Sequence, residues 1–387
     1  MRLAFICTER LTVPPLRGGA IQIFIDGITP YVSTKHELTI YCTPDPELPE
    51  REIINGVRYI RVPREGYAYG VAKRLTEEEQ PYDLIHVYNR PKDLLIYKHA
   101  MPDSRFVVSL HNEMFNESRI SDQLGDLAIR IADGIMSISN YIGQTIVTRF
   151  PFARSKISTV YSGIDLNRFV PVWSDDAGQI RKELRKKYGV EHNKVVLFVG
   201  RLSKVKGPDV LIHAMEQVIQ QHPDAVLVII GNRGSINDND RLDEYMTDLH
   251  LLAEALGDKR VVFTNFVSPS QIPSHYLIGD LFVCSSQWEE PLARVHYEAM
   301  GAGLPIITTR RGGNAEIINH LVNGIVIDDY TNPQAFADAI TFLLTHPEDA
   351  GGLAKAGRAA AEANFGFQIV AERLEKLYGN AMNKQRL

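Results

Sequence analysis

Two pairs of charged side chains have the types and spacing to do chemistry. Arg201 and Lys206 bracket one short stretch, Val199-Gly200-Arg201-Leu202-Ser203-Lys204-Val205-Lys206-Gly207. A planar guanidinium and a mobile ammonium on one loop match a diphosphate and neutralise its charge as it departs; Lys204, between them, reads as an ordinary solvated cation. Glu290 and Glu298 stand in Trp288-Glu289-Glu290-Pro291-Leu292-Ala293-Arg294-Val295-His296-Tyr297-Glu298. Were every step between them helical they would lie ~12 Å apart, beyond the ~5–9.5 Å of a glycosidase acid/base pair. Carboxylates so spaced suit two hydrogen-bond anchors, each gripping hydroxyls on a different part of one extended ligand. Between them the backbone N–H groups of Leu292, Ala293, Arg294 and Val295 open a helix and offer an anion site, to which Pro291 contributes no donor. Trp288 reads equally as a wall of that pocket or as packing under the loop.

A third feature is Arg17-Gly18-Gly19-Ala20, which leads into the helical pattern Ile21, Phe24, Ile25, Ile28. Gly18 and Gly19 let backbone N–H groups approach an anionic oxygen with no Cβ in the way. The loop is neither Gly-x-Gly-x-x-Gly nor Gly-x-x-x-x-Gly-Lys-Ser/Thr, which excludes a dinucleotide fingerprint and a P-loop there. Asp238-Asn239-Asp240 has the form of a metal-chelating Asp-x-Asp string, but it stands in a polar insert, 235–241, with no strand directly before it. It reads as a solvated turn, and no metal site is expected.

The elements that must position these residues follow from the apolar runs. Strands are expected at 3–7, 38–42, 57–62, 84–87, 106–110, 134–138 and 156–160, then at 195–199, 225–230, 261–263, 281–284, 305–308 and 324–327. Several are continuous β-branched runs separated by helical patterns, the mark of parallel sheets covered on both faces. Helices are expected after Pro208 (Val210, Leu211, Ala214, Met215, Val218, Ile219), after Pro333 (Phe336, Ile340, Leu343, Leu344) and over 367–382 (Val370, Leu374, Leu377). A loop at 171–178 and a charged helix at 181–187, read as a solvated face, precede a fresh strand. The expected architecture is α/β: two Rossmann-like, doubly wound domains, 1–168 and 169–365, facing a central cleft, with 366–387 a helix crossing back to the first. Ligands of such sheets bind beyond the carboxyl ends of the strands, where all of the candidate residues stand.

The chain has 387 residues, of which 42 are Lys or Arg and 47 Asp or Glu, a net charge of −5 that gives no cationic module for nucleic acid. Hydrophobic residues at 44% and 28 glycines with 20 prolines fit a globular protein and exclude collagenous or low-complexity classes. The three cysteines, Cys7, Cys42 and Cys284, are too scattered for a disulfide framework or a Cys-x-x-Cys motif, which suggests a reducing, cytoplasmic setting. The apolar start, Leu3 to Cys7, is too short for a secretory segment, and no run reaches the roughly 18 apolar residues of a membrane span. The expectation is a soluble protein, at most peripheral on a membrane.

With these residues in this order, the chain resembles the retaining family 4 glycosyltransferases of GT-B fold. The likeness runs nearly end to end through Ser109-Leu110-His111-Asn112, Tyr161-Ser162-Gly163-Ile164-Asp165, Gly303-Leu304-Pro305-Ile306-Ile307-Thr308, Arg311-Gly312-Gly313-Asn314-Ala315-Glu316 and Asn323-Gly324-Ile325. Within the family, His111-Asn112-Glu113-Met114-Phe115, Tyr141-Ile142-Gly143-Gln144-Thr145 and the stretch from Trp288 to Glu298 look most like the spore coat protein SA group. The resemblance implies metal-independent hexosyl transfer from a nucleotide-diphosphate sugar, a UDP-sugar, to an acceptor hydroxyl with retention at the anomeric carbon, and no cofactor. It implies that Arg201 and Lys206 bind the diphosphate, Glu298 the ribose and Glu290 the donor sugar. His111 would face that sugar near the reacting carbon, Gly18 and Gly19 would lie against the diphosphate or an anionic acceptor, and Asn265-Phe266-Val267 would contact the base. One departure stands out: family members often carry a Gly-Phe-Gly-Leu-like run where this chain has Pro291-Leu292-Ala293-Arg294, so its anion contacts there should differ. Glu316 reads as a helix cap.

The acceptor, a sugar, a lipid-linked glycan or a protein, would meet first-domain loops such as Asn89-Arg90-Pro91 and 114–119, and cell-surface or spore-coat glycans are the implied products. Association with a membrane surface or the spore coat is compatible with this. A structural coat protein with a transferase fold, a nucleotide-sugar epimerase and a pyridoxal phosphate-dependent phosphorylase are the rival readings. The joint presence of Arg201, Lys206, Glu290 and Glu298 argues against a pure scaffold.

Overall fold

The computed structural model describes residues 1–231 and 244–384; Asp238-Asn239-Asp240 lies outside them. The chain forms two compact units, Met1–Gly163 with Gly366–Leu387, and Ile164–Phe365.

The first unit is built on eight strands: β1 (Arg2–Ile6), β2 (Glu37–Cys42), β3 (Arg51–Ile54), β4 (Val57–Arg61), β5 (Leu84–Tyr88), β6 (Arg105–Leu110), β7 (Gly134–Ser137) and β8 (Ile157–Thr159). Their order is β3-β4-β2-β1-β5-β6-β7-β8, and every neighbouring pair is parallel except β3 with β4. The strand order reverses between β1 and β5, a switch point where ligands of doubly wound sheets bind. Gly18 and Gly19 follow β1, Asn89 follows β5 and His111 follows β6. The sequence reading missed β3. It hangs on the turn Asn55-Gly56, whose φ values of 50° and 82° suit a two-residue hairpin.

Helix Phe367–Met382 packs on this unit, burying Val370, Leu374 and Leu377 in its core. The Phe367 ring fills the space over Gly27 and Gly163, where any Cβ would collide with it. The three cysteines are free and buried.

The second unit carries β9 (Lys194–Val199), β10 (Ala225–Ile230), β11 (Val261–Phe263), β12 (Leu281–Cys284), β13 (Ile306–Thr309) and β14 (Ile325–Ile327). They run in the order β11-β10-β9-β12-β13-β14, all parallel. Val196, Phe198, Leu227, Ile229 and Val283 pack against Leu211, Met215, Phe336 and Ile340 from helices Pro208–Gln221 and Pro333–Thr345. Here the switch point lies between β9 and β12, so the loops carrying Arg201, Lys206 and Glu290 rise from the two strands that flank it.

Two sequence readings need correction here. Residues 175–178, expected as loop, form the first turn of helix Asp175–Tyr188, which has Asp175 and Asp176 at its start, Arg185, Lys186 and Lys187 at its end and Gly189 as a left-handed cap. Its basic residues are also more than a solvated face. Arg181 Nη1 donates to the carbonyls of Leu277 (2.6 Å) and Gly279 (2.7 Å), and Arg185 Nη2 to Asp280 Oδ2 (2.7 Å), clamping the helix to the approach to β12. Among the described residues no helix is long and apolar enough to cross a membrane.

Candidate functional site

In the second unit the β9 and β12 loops are strapped together. Gly207 takes φ 66° and lies so close to the Ser285 carbonyl that any Cβ would overlap it. Ser285 Oγ lies 3.0 Å from the Lys206 carbonyl and 2.9 Å from that of Gly207, within donating distance of both, while the Gln287 N–H donates to Val205 O (2.9 Å). This places Lys206 Nζ 2.5 Å from Glu290 Oε2. The same oxygen accepts from Trp288 Nε1 (2.7 Å) and Ser286 Oγ (3.1 Å), and the ammonium stands 5.8 Å from the Trp288 ring centroid. Trp288 thus orients the carboxylate as well as shielding it. The Glu290 main chain is gripped in turn by the Gly312-Gly313 turn, with the Gly313 N–H on Glu290 O (2.8 Å). Arg201, two residues past the end of β9, is exposed, and its side chain bonds to no other described residue.

Glu298 lies on helix Val295–Gly301 and is already committed. Its Oε2 accepts from Tyr276 Oη at 2.9 Å, and its Oε1 lies 3.5 Å from Arg294 Nε. The expected anion site of consecutive amides is partly spent: the Ala293 N–H donates to the side chain of buried Asn314 at 3.2 Å, and Arg294, the N-cap residue, turns its side chain to Glu298. Leu292 and Ala293 are buried and Val295 begins the helix. Past β11, Val267 is buried and Phe266 is half exposed.

The sequence reading missed His296, which is fully buried. Its Nδ1 donates to Ala293 O (2.9 Å) and its Nε2 meets Thr308 Oγ1 (2.7 Å), so it ties the Pro291–Val295 turn to β13. Burial opposes charge on this imidazole, yet the Cys284 thiol beside it holds its pKa above the ordinary value. Reciprocally, burial would raise the thiol and the imidazole brings it below its usual range. A histidine amid apolar residues on a short helix gave no signal of this.

In the first unit, Gly18 (φ 81°) and Gly19 (φ 100°) lead into helix Ala20–Val32, with Gly19 at the N-cap. The Gly18 N–H is consumed by Pro15 O at 3.0 Å, so of the two expected anion donors this one is engaged within the protein. Phe24, on that helix, meets the His111 ring edge-on at 5.1 Å, which brings the glycine loop's helix and His111 together. His111 is buried, and its backbone N–H donates to Asn89 Oδ1 at 3.0 Å. Arg90 forks onto Glu9 with bonds of 2.6 and 2.7 Å, joining the loops after β5 and β1. Among the described residues no group of three or more His, Cys, Asp or Glu is placed to hold a metal ion.

Comparison with known proteins sets this geometry in context. Residues 180–360 match the family Glycosyl transferases group 1, and residues 30–168 match Glycosyltransferase Family 4. The chain is 48% identical to YtcC of Bacillus subtilis (strain 168), across 100% of this chain and 94% of that protein. It is 47% identical to spore coat protein SA of the same strain, across 98% and 99%. Among solved structures, Anabaena HepE in complex with UDP superposes with a TM-score of 0.76 at 24% identity, covering 98% of this chain and 100% of HepE.

Proposed function

The chain belongs to glycosyltransferase family 4, with the GT-B fold, and from that premise we propose that it transfers a hexose from a UDP-sugar to an acceptor hydroxyl with retention at the anomeric carbon. Unit Ile164–Phe365 is the donor-binding side and the other unit the acceptor side. The observation that carries this reading is the contact of the Lys206 ammonium with the Glu290 carboxylate at 2.5 Å, on the loops flanking the β9/β12 switch point, with Arg201 beside them. Arg201 and Lys206 take the diphosphate, and Glu290, held by Trp288 and Ser286, presents its carboxylate to the sugar hydroxyls. Glu298 takes the ribose, Phe266 and Val267 the base, and His111 the donor sugar near the reacting carbon. The bond from the anomeric carbon to the diphosphate oxygen breaks as the acceptor oxygen attacks the same face, and the acceptor's proton leaves on the departing phosphate. Two cations stabilise that leaving group electrostatically, without an enzyme nucleophile. HepE, solved with UDP, supports uridine as the base, and spore coat protein SA supports a coat or surface glycan as the acceptor.

A melting screen of nucleotide sugars should single out a UDP-sugar, and transfer from it should persist in EDTA. Replacing both cations, Arg201→Ala with Lys206→Ala, should cost at least about 100-fold in turnover. Full turnover by that double variant, or a strict requirement for Mn²⁺, would overturn the reading.

A further inference from the structure

We infer that Asn89 is a positioning residue for His111, setting where β6 ends and the histidine begins. The inference rests on the role proposed above for His111. β5 and β6 pair in parallel through Tyr88 and Ser109, and the Asn89 N–H continues the ladder by donating to Ser109 O at 2.7 Å. In a regular parallel pair the next bond would run from the His111 N–H to the Asn89 carbonyl. Here Asn89 turns left-handed, φ 57°, and its main-chain carbonyl is instead taken by Arg90 Nη1 at 2.8 Å. The side chain supplies the missing rung, with Oδ1 accepting the His111 N–H at 3.0 Å. Asn89 is 5% exposed, so water is a poor substitute for that acceptor.

Two properties are therefore required of position 89 at once: tolerance of positive φ, and a short side chain ending in an acceptor. Asn and Asp have both, Gly only the first, and most other residues neither. The His111 ring itself is steered by Phe24, edge-on at 5.1 Å, and by Tyr88, tilted at 6.1 Å. The Asn89 side-chain oxygen holds the His111 backbone donor, and loss of that bond lets the start of the 111–121 loop drift while Phe24 and Tyr88 stay against the ring.

The test compares Asn89→Gly, Asn89→Asp and His111→Ala in the full chain, with the UDP-sugar selected by the melting screen. Asn89→Gly keeps the backbone turn and removes the rung. It should lower kcat about 10- to 100-fold, the scale expected of a misplaced reacting group, and lower the melting temperature by about a few degrees for the stranded His111 N–H, while UDP affinity by calorimetry stays near wild type. Asn89→Asp restores the acceptor and should return kcat to within a few-fold. The inference is overturned if Asn89→Gly turns over normally while His111→Ala does not, or if Asn89→Asp, though folded, fails to rescue. Normal turnover by His111→Ala would instead remove the proposed role of His111, and this inference with it.

Discussion

The Glu298 carboxylate has two commitments inside the protein before any ligand arrives, to Tyr276 Oη (2.9 Å) and to Arg294 (3.5 Å). Glu298→Ala would strand a fully buried tyrosine hydroxyl, a cost of about 1–3 kcal/mol, and a lost ribose contact could not then be told from a loosened helix. Glu298→Gln is the informative change, because its carbonyl oxygen still accepts from Tyr276. We expect Glu298→Gln to unfold within ~1 kcal/mol of wild type in urea yet bind UDP about tenfold more weakly, since bonds to charged acceptors exceed neutral ones by roughly that much. Unchanged UDP binding by calorimetry would show that Glu298 serves only the fold. At this scale the sequence was readable in part. Residue types and spacing singled out Arg201, Lys206, Glu290 and Glu298, which the structure places on the segments that follow β9 and β12. They could not show that Lys206 and Glu290 grip one another, because that contact depends on Gly207 passing close to Ser285 from a different strand.

Among the elements, helix Phe367–Met382 is keyed to the first sheet by a buried imidazole. Ser109 Oγ donates to Met136 Sδ at 3.1 Å, so its oxygen accepts from His86 Nε2, and His86 Nδ1 accepts from Tyr378 Oη at 2.8 Å. Burial, with His111 nearby as a lesser cause, pushes the His86 pKa well below 6.5. The unfolded chain binds a proton near that value and the folded chain does not. The contribution is therefore complete above about pH 6.5 and declines as pH falls below it, by ~1.4 kcal/mol per unit. Urea midpoints should drop more steeply between pH 7 and 5 for wild type than for His86→Gln, whose stability is lower throughout; identical slopes would refute the assignment. The same helix was legible from its apolar spacing, as were thirteen of the fourteen strands among the described residues, because most are runs of buried residues and the half-buried β8 and β11 still carry β-branched or aromatic side chains. β3 was not: Ile53 is 70% exposed and the strand buries no face, so hydrophobic patterning was silent. The signal was Asn55-Gly56, a turn whose chemistry alone predicts a hairpin.

For the molecule as a whole, the chain enters the second unit at Ile164 and leaves it at Phe365, and these two ends are hydrogen-bonded, Ile164 N–H to Phe365 O at 2.8 Å. A unit whose termini meet, with its own six-stranded sheet and its own apolar core, needs no closure from the rest of the chain. It also holds Arg201, Lys206, Glu290 and Glu298 together. A fragment comprising residues 164–365 should therefore melt cooperatively by itself and bind UDP, its stability rising by about 2.7 kcal/mol when UDP reaches 100 times Kd. It should transfer no sugar, because His111 and the loops proposed to meet the acceptor belong to the other unit. Wild-type UDP affinity in the fragment would place recognition of the nucleotide wholly in residues 164–365. A folded fragment blind to UDP would mean that the Lys206–Glu290 loops are not the nucleotide site, and the proposed donor assignment would have to be abandoned even though the family membership stands.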